Sequence, residues 1–264
     1  MTDKILRELV DAIQQRTPVA MATVVDTDRS VPRRAGSKML IYRDRSISGS
    51  VGGGEMESRV VDQSLEAMTD GTPRRLCYDL VDPSTGDPGV CGGTVEIYIE
   101  PYMPKPTVFV VGAGHVGQAV VELGCWLGLS VVVWDDRSDL INSIKLPTGV
   151  DSSQVITVDG PLADAIAANP IDEYTSVVMV TRNVALDVEI LPHILGTPAP
   201  YVGLMGSKRR WDTTRTKLAD LGYDDVVLDR ITAPIGIEIH AETPQEIAVS
   251  ILSQVIAQTS RARD

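Results

Sequence analysis

The second half of the chain alternates between short apolar runs and segments with helical spacing. Residues 108–111 and 131–134 each contain three valines and one aromatic residue, and the segment between them follows a helical pattern. Further strands are predicted over residues 154–158, 175–180 and 201–204, and further helices over 162–167, 185–195, 207–220 and 244–258. Strands and helices that alternate in this way predict a parallel sheet with helices on both faces.

The first part of the chain follows a different pattern, in which predicted strands outnumber predicted helices. Helices are predicted over residues 3–16 and 55–68, and strands over 19–25, 38–42, 46–48, 76–80 and 94–99. Residues 26–35 are predicted to form a loop. The first helix carries an apolar stripe that consists of Ile5, Leu6, Leu9, Val10 and Ile13.

Three prolines separate these two parts of the chain, at positions 101, 104 and 106. Because proline fixes φ and removes a backbone donor, neither helix nor strand is expected to continue through residues 101–106. We therefore predict an N-terminal domain over residues 1–103 and a Rossmann-like nucleotide-binding domain over residues 104–264. The predicted fold class is α/β, with a C-terminal doubly wound parallel sheet and a smaller N-terminal α/β domain.

The apolar run at 108–111 leads directly into residues 112–117, which have the spacing G-x-G-x-x-G. In such a turn the first glycine permits the tight bend, the second lets a pyrophosphate approach the backbone, and the third lets helix and strand pack closely. Asp135 and Asp136 end the next apolar run, near the offset of roughly 20 residues expected for a carboxylate that contacts a ribose hydroxyl. The residues predicted to bind a nucleotide here are Gly112, Gly114, His115, Val116, Gly117, Asp135 and Asp136. The alternative is a doubly wound fold that keeps the turn without a ligand.

A second candidate anion site lies where the predicted strand 201–204 ends and a helix begins. It contains Gly206, Ser207, Lys208 and Arg209, whose backbone N–H groups and side chains suit an anion. If the sheet is parallel, this loop and the glycine-rich turn would line one crevice. Spacing alone favours equally the alternative that Lys208, Arg209 and Arg210 form a solvated helix face.

Composition narrows the class of partner. The chain has 264 residues, of which 43% are apolar, and it carries a formal net charge of −12. An acidic chain argues against binding to nucleic acid or to an anionic membrane surface. No apolar run approaches the roughly 18 residues of a membrane span. We expect a cytoplasmic protein that contacts neither.

The chain contains three cysteines, Cys77, Cys91 and Cys125, with no C-x-x-C spacing. An odd number without that spacing argues against a disulfide framework or a zinc site. Cys91 is followed by Gly92-Gly93, and a thiol on a donor-rich turn is a candidate nucleophile or soft ligand. The alternative is a small packing residue, which is also the interpretation we favour for Cys77 and Cys125.

Several segments together resemble one known family. In the N-terminal part they are residues 31–39 (VPRRAGSKM), 49–54 (GSVGGG) and 91–93 (CGG). In the C-terminal part they are residues 112–117, 201–209 (YVGLMGSKR), 234–236 (PIG) and 241–251 (AETPQEIAVSI). In this order, and over nearly the whole chain, they are similar to the XdhC/CoxI family of xanthine dehydrogenase accessory proteins.

The resemblance implies a chaperone that binds molybdenum cofactor, as molybdopterin or its dinucleotide form. Such a protein assists sulfuration of the cofactor and its insertion into a xanthine dehydrogenase-type molybdoenzyme, together with a cysteine desulfurase, and a homodimer is expected. Cys91 would contact molybdenum or carry sulfur, and the two candidate sites above would bind the cofactor. The chain departs from the family pattern at Glu55, where some members carry Cys or His, and at His240, where a glycine is expected.

A different class of function is an NAD(P)-dependent oxidoreductase that uses the Rossmann domain catalytically. It requires an acid or base near the nicotinamide, for which the sequence offers His115, His240 and Glu242. None of them lies in a dehydrogenase motif. The acidic pair at 135–136 disfavours the extra phosphate of NADP, although Arg137 opposes this effect. A nucleotide sensor without catalysis is a third, weaker alternative.

Overall fold

The computed structural model describes residues 2–29, 31–79, 93–146, 148–149 and 151–261. The chain divides into two compact units between Pro104 and Lys105. Each unit has its own sheet and its own apolar clusters.

In the described residues, the N-terminal unit contains a five-stranded antiparallel sheet and two helices. The helices are α1 (Thr2–Gln14) and α2 (Gly54–Asp70), and the strands are β1 (Val19–Asp28), β2 (Lys38–Tyr42), β3 (Ile47–Gly49), β4 (Arg74–Asp79) and β5 (Thr94–Tyr102). The strand order is β3-β2-β1-β5-β4, and each neighbouring pair is antiparallel.

The two faces of this sheet are covered by different helices because side chains alternate along a strand. In β1, Ala20, Ala22 and Val24 pack in the cluster that contains α2, whereas Val19 and Met21 pack in the cluster that contains α1.

The buried face of α1 is narrower than the predicted stripe. Ile5 and Leu9 are buried, but Leu6, Val10 and Ile13 are 41%, 51% and 52% exposed. One row of side chains along the helix therefore suffices to cover this side of the sheet.

The expectation that no strand continues past residue 100 is wrong. Strand β5 includes Pro101, which pairs with Ala20 of β1. On the other side of β5 the ladder with β4 ends at Ile99. Pro101 thus lies where β5 has only one neighbour, and there a missing N–H costs little. β1 likewise runs three residues further than predicted, to Asp28.

The C-terminal unit contains a six-stranded parallel sheet. Its strands are β6 (Thr107–Val111), β7 (Ser130–Trp134), β8 (Val155–Val158), β9 (Thr175–Met179), β10 (Tyr201–Leu204) and β11 (Ile231–Thr232). Its helices are α3 (His115–Trp126), α4 (Ser138–Asn142), α5 (Leu162–Ala168), α6 (Val184–Leu195), α7 (Lys208–Asp220), α8 (Asp225–Leu228) and α9 (Pro244–Arg261). The strand order is β11-β10-β9-β6-β7-β8, and every neighbouring pair is parallel.

Both faces of this sheet are covered, as the predicted doubly wound fold requires. Phe109 and Val111 of β6 pack with residues of α5, α6, α7 and α8, whereas Val108 and Val110 pack with residues of α3, α4 and α9. The structure confirms the predicted fold class. The short elements α4, α8 and β11 were not predicted, because elements of two to five residues carry too little periodicity.

The predicted start of α9 is also confirmed. Thr243 Oγ1 accepts a hydrogen bond from the N–H of Glu246, and the Glu246 carboxylate accepts one from the N–H of Thr243. This reciprocal pair is a capping box, and Pro244 occupies the first helical position.

No helix among the described residues has an apolar stretch that would cross a membrane.

The central strand provides a test of the packing. Phe109 is the only phenylalanine of the chain, and it is 1% exposed, whereas Trp126 is 78% exposed. We expect Phe109→Ala to lower the free energy of unfolding by about 3–5 kcal/mol, because it leaves a cavity beside β6. Trp126→Ala should change it by less than about 0.5 kcal/mol. Urea titrations followed by circular dichroism measure both, and equal losses would contradict the assigned burial.

Candidate functional site

The glycine-rich turn follows β6 at the carboxyl end of the sheet, and two of its glycines are required by the packing. Gly112 has a φ of 114°, and a Cβ there would lie 2.9 Å from the carbonyl oxygen of Val180. A Cβ on Gly117 would overlap the carbonyl oxygen of Gly112. The turn and the first helical turn of α3 are therefore in direct backbone contact.

Gly114 differs from these two glycines because it faces open space. It is the N-cap of α3, it has an extended backbone, and no side chain caps the helix there. A Cβ on Gly114 would meet no atom of the described residues within 4 Å. His115 is exposed and Val116 is half-buried. The first N–H groups of a helix have no intrahelical partner, so this end can donate to an anion.

Asp135, the predicted ribose contact, is used inside the protein. It is 1% exposed. Its Oδ2 accepts from the N–H of Ala113 at 2.7 Å, and the guanidinium of Arg137 donates to both carboxylate oxygens at 2.9 and 3.0 Å. The N–H of Arg137 also donates to Oδ1, at 3.0 Å. Asp135 thereby ties the glycine-rich turn to the end of β7.

Asp136 forms an ion pair across the end of the central strand. Arg182, which follows β9, donates to its two carboxylate oxygens at 2.7 and 2.6 Å. β7 and β9 lie on opposite sides of β6, so this pair spans the carboxyl end of β6. The Asp136 side chain is 35% exposed. Hydrogen bonds from Arg182 lower the pKa of Asp136 to about 2, so this carboxylate stays ionised at neutral pH.

The three cations at the start of α7 differ in exposure and in partners. Ser207 caps α7, since its hydroxyl accepts from the N–H of Arg210 at 3.2 Å. Lys208 and Arg209 are exposed, and within the described part of the chain neither forms an ion pair. Arg210 instead turns inward. The sequence-based alternative of a solvated face therefore does not hold for Arg210.

Arg210 belongs to a buried polar network that sequence reasoning missed. Its guanidinium donates to both oxygens of Asp187, at 2.8 and 2.7 Å, and to the carbonyl of Thr181 at 3.0 Å. Asp187 is 0% exposed. The sequence contains one signal for this network: Asp187 lies on the apolar stripe of α6, between Leu186 and Ile190. A carboxylate in such a position requires a buried partner.

The parallel sheet brings most of the predicted C-terminal site residues to one edge. The turn 112–117, the pair 135–136 and the loop 206–209 follow β6, β7 and β10. Backbone hydrogen bonds join the strand ends, from Val180 to Val111 at 2.9 Å and from Met205 to Met179 at 2.8 Å. In an open α/β sheet this edge, at the point where the strand order reverses, is where ligands bind.

Two of the N-terminal motifs, residues 31–39 and 49–54, also meet at one end of their own sheet. The end of β1 pairs with the start of β5, which pairs with the end of β4. The same end holds the start of β2 and the end of β3. Here Glu57 of α2 accepts hydrogen bonds from the N–H groups of Val51 and Gly52, at 3.1 and 3.2 Å. The glycine-rich segment 49–54 is thus capped by a carboxylate of its own unit.

The remaining candidates are distributed as follows. Cys91 lies outside the described residues. Cys125 is buried, and burial raises the pKa of its thiol, as expected for a packing residue. The same prediction for Cys77 is wrong, because Cys77 is exposed: in β4 every second side chain points away from α2.

The acid–base candidates do not form a cluster. His240 is almost fully exposed and lies 3.4 Å from Glu238, and His115 and Glu242 are exposed as well. Within the described ranges, no group of three or more His, Cys, Asp or Glu side chains could hold a metal ion.

Comparison with known proteins identifies two family matches. The model described as the XdhC Rossmann domain matches residues 108–255. The model described as the XdhC and CoxI family matches residues 12–79. The two matches lie in different units of the structure.

Two curated proteins are similar in sequence to this chain, one over nearly its whole length and one over about two thirds of it. The uncharacterized Escherichia coli (strain K12) protein YqeB is 31% identical over 262 residues, which are 98% of this chain and 47% of that protein. A probable xanthine dehydrogenase subunit of Bacillus subtilis (strain 168) is 28% identical over 173 residues, which are 64% of this chain and 47% of that protein. The chain thus spans about half the length of these curated relatives.

A solved structure shares the fold. The crystal structure of a xanthine dehydrogenase from Bacillus halodurans matches with a TM-score of 0.51 and 22% identity, over 97% of this chain and 96% of that chain. At this identity the likeness concerns the fold alone.

The contrast between Gly117 and Gly114 is testable by stability. We expect Gly117→Ala to lower the free energy of unfolding by about 3 kcal/mol, because its methyl group overlaps the backbone of Gly112. Gly114→Ala should cost at most about 1 kcal/mol, the size of the preference for glycine over alanine at a helix N-cap. Urea unfolding of the two variants measures the difference. A stable Gly117→Ala protein would contradict the close approach of α3 to the turn.

The buried pair of Asp187 and Arg210 is testable in the same way. Asp187→Asn removes the charge that compensates the Arg210 guanidinium, whose side chain is only 17% exposed. We expect a loss of about 3–5 kcal/mol in the free energy of unfolding. The control is Asp225→Asn, which removes one partner of an exposed ion pair with Arg215 and should cost at most about 1 kcal/mol. Losses of the same size in both variants would argue against a buried pair.

Proposed function

The chain belongs to the XdhC and CoxI family, and on this premise we propose that it is an accessory protein of a xanthine dehydrogenase-type molybdoenzyme. In this role it binds molybdenum cofactor, as molybdopterin or its dinucleotide form. It assists sulfuration of the cofactor and passes it to the enzyme. One observation carries the proposal: a chain of this family presents an uncapped helix N-terminus, with open space in front of it, at the ligand-binding edge of its parallel sheet.

The residues at this edge fit the phosphate or pyrophosphate of such a cofactor. The open face of Gly114 accepts an anion without a steric conflict, and the N–H groups at the start of α3 supply donors. Lys208 and Arg209 are exposed at the start of α7, where their charges add to the dipole of that helix. The chain is acidic overall. A local cluster of donors and cations therefore makes this edge a more favourable place for an anion than the rest of the surface.

Each group has a separate task in this proposal. The α3 N-terminus orients the phosphate, and Lys208 and Arg209 neutralise its charge. Asp135 and the Asp187–Arg210 pair hold the strand ends and contact no ligand. When bound, the cofactor supplies the molybdenum centre that the client enzyme uses.

The other parts of the proposal rest on family membership. Cys91 is proposed to contact molybdenum or to carry sulfur, since a thiolate is a soft ligand. A cysteine desulfurase is the proposed source of sulfur, and the working unit is proposed to be a homodimer. The name of the Bacillus subtilis relative supports a xanthine dehydrogenase-type enzyme as the client.

Anaerobic binding of released molybdenum cofactor to the full chain tests the proposal. We expect Gly114→Ala to weaken binding by about tenfold or more, because its methyl group occupies the space in front of α3. The matched control is Gly196→Ala at the end of α6, where a Cβ also meets no atom within 4 Å. It should bind as the wild type does. If the two variants bind the cofactor with equal affinity, the glycine-rich turn is not part of the binding site. If the wild type does not bind the cofactor, the proposed function is refuted.

The role of Cys91 requires a separate measurement. Cys91→Ala should reduce cofactor binding or the sulfuration of the bound cofactor. If both are unchanged, the cysteine has neither role. Tight binding of NADH with substrate-dependent turnover would instead favour an oxidoreductase.

A further inference from the structure

We infer that Asp136, held by Arg182, is the carboxylate that reads the ribose hydroxyls of a nucleotide at this edge, and that Asp135 is a positioning residue. The inference deepens the proposed function and rests on its nucleotide-binding part. It names the ligand class as a nucleotide with a free 2′-hydroxyl. It also reverses the usual expectation that the first acid after the second strand contacts the sugar.

Asp135 has no capacity left for a ligand. A carboxylate has about four lone-pair sites. Asp135 accepts four hydrogen bonds, two on each oxygen, from Ala113 and from the backbone and guanidinium of Arg137. It is also 1% exposed. A ribose hydroxyl would have to displace one of these donors, and a displaced Ala113 N–H would be left buried without a partner.

Asp136 retains that capacity. Within the described part of the chain, each of its oxygens accepts one hydrogen bond, from Arg182, so about half of its lone-pair sites remain. The nearest guanidinium nitrogen of Arg137, Nε, lies 3.7 Å from Oδ1, which is beyond hydrogen-bond length. About a third of the side chain is exposed. A hydroxyl donor can therefore be added without breaking the existing pair.

The position of the pair matches the position expected for the sugar. A phosphate at Gly114 directs the attached ribose toward the end of β7, where Asp136 lies. Arg182 reaches Asp136 from the segment after β9, on the far side of β6, and holds both carboxylate oxygens in a planar fork. An ionised carboxylate in this place accepts from a 2′-hydroxyl and repels a 2′-phosphate.

Titration calorimetry with ribo- and deoxyribonucleotides tests this assignment on the full chain. The probes are CDP, GDP and ADP, each compared with its 2′-deoxy form, which lacks only the hydroxyl in question. For the nucleotide that binds, we expect the wild type to prefer the ribo form by about tenfold, as one hydrogen bond to a charged group provides. Asp136→Asn should bring the ratio close to one.

Asp135→Asn provides the contrast. It should weaken both forms to a similar extent, because it loosens the turn without touching the sugar, and the ratio should remain as in the wild type. A merely structural role of Asp136 would also weaken both forms equally and leave the ratio unchanged. If Asp135→Asn does not fold, the ratio of ribo to 2′-deoxy affinity in Asp136→Asn is the deciding measurement. The thermal unfolding of Asp136→Asn is recorded as a control for its folding.

The assignment is overturned if Asp136→Asn keeps the wild-type ratio, if folded Asp135→Asn loses it, or if the wild type does not discriminate. Absence of binding by all three diphosphates to the wild type overturns it as well. That last result leaves the accessory role standing if intact molybdenum cofactor still binds, so the two failures are distinguishable.

Discussion

The contact between the glycine-rich turn and the first turn of α3 is the constraint on which the C-terminal unit depends. Gly117 has no room for a Cβ against the carbonyl of Gly112, and Gly112 has none against Val180. Only glycines at these positions let α3 pack on β6 and bring its N-terminus to the carboxyl end of the central strand. The candidate site is a consequence of this packing, because the same approach presents the free N–H groups to the ligand edge.

Buried carboxylates fix the neighbouring strand ends around that contact. Asp135 ties the turn to β7 through Ala113, and Asp187 ties α6 to α7 through Arg210. Each is paired with an arginine, as a buried charge must be. The polar groups nearest the sheet are therefore already bonded to one another. The groups left for a ligand are therefore those further out: Gly114, Asp136 and the cations at the start of α7.

Local patterns were sufficient to predict the central elements of the fold, because β6, α3 and β7 have strong periodicity and a glycine turn between them. Patterns failed where tertiary neighbours decide the outcome. Pro101 is tolerated only because β4 has already ended beside it. Which of Asp135 and Asp136 is available to a ligand depends on their partners Arg137 and Arg182. Arg182, the partner of Asp136, lies 46 residues away in the sequence. The inward turn of Arg210 likewise depends on Asp187, which lies on a different helix.

The exposure of the candidate residues bears on the choice between carrier and oxidoreductase. Oxidation of a hydroxyl by hydride transfer uses a positioned acid or base to take up the proton, and the candidates His115, His240 and Glu242 are all exposed. A carrier instead requires an open site, because it must release the cofactor that it binds. In the proposed function, backbone N–H groups and exposed cations such as Lys208 and Arg209 would hold a phosphate by interactions that solvent and salt readily weaken. An anion held in this way exchanges without the unfolding of any buried network, which suits a cofactor that is passed on.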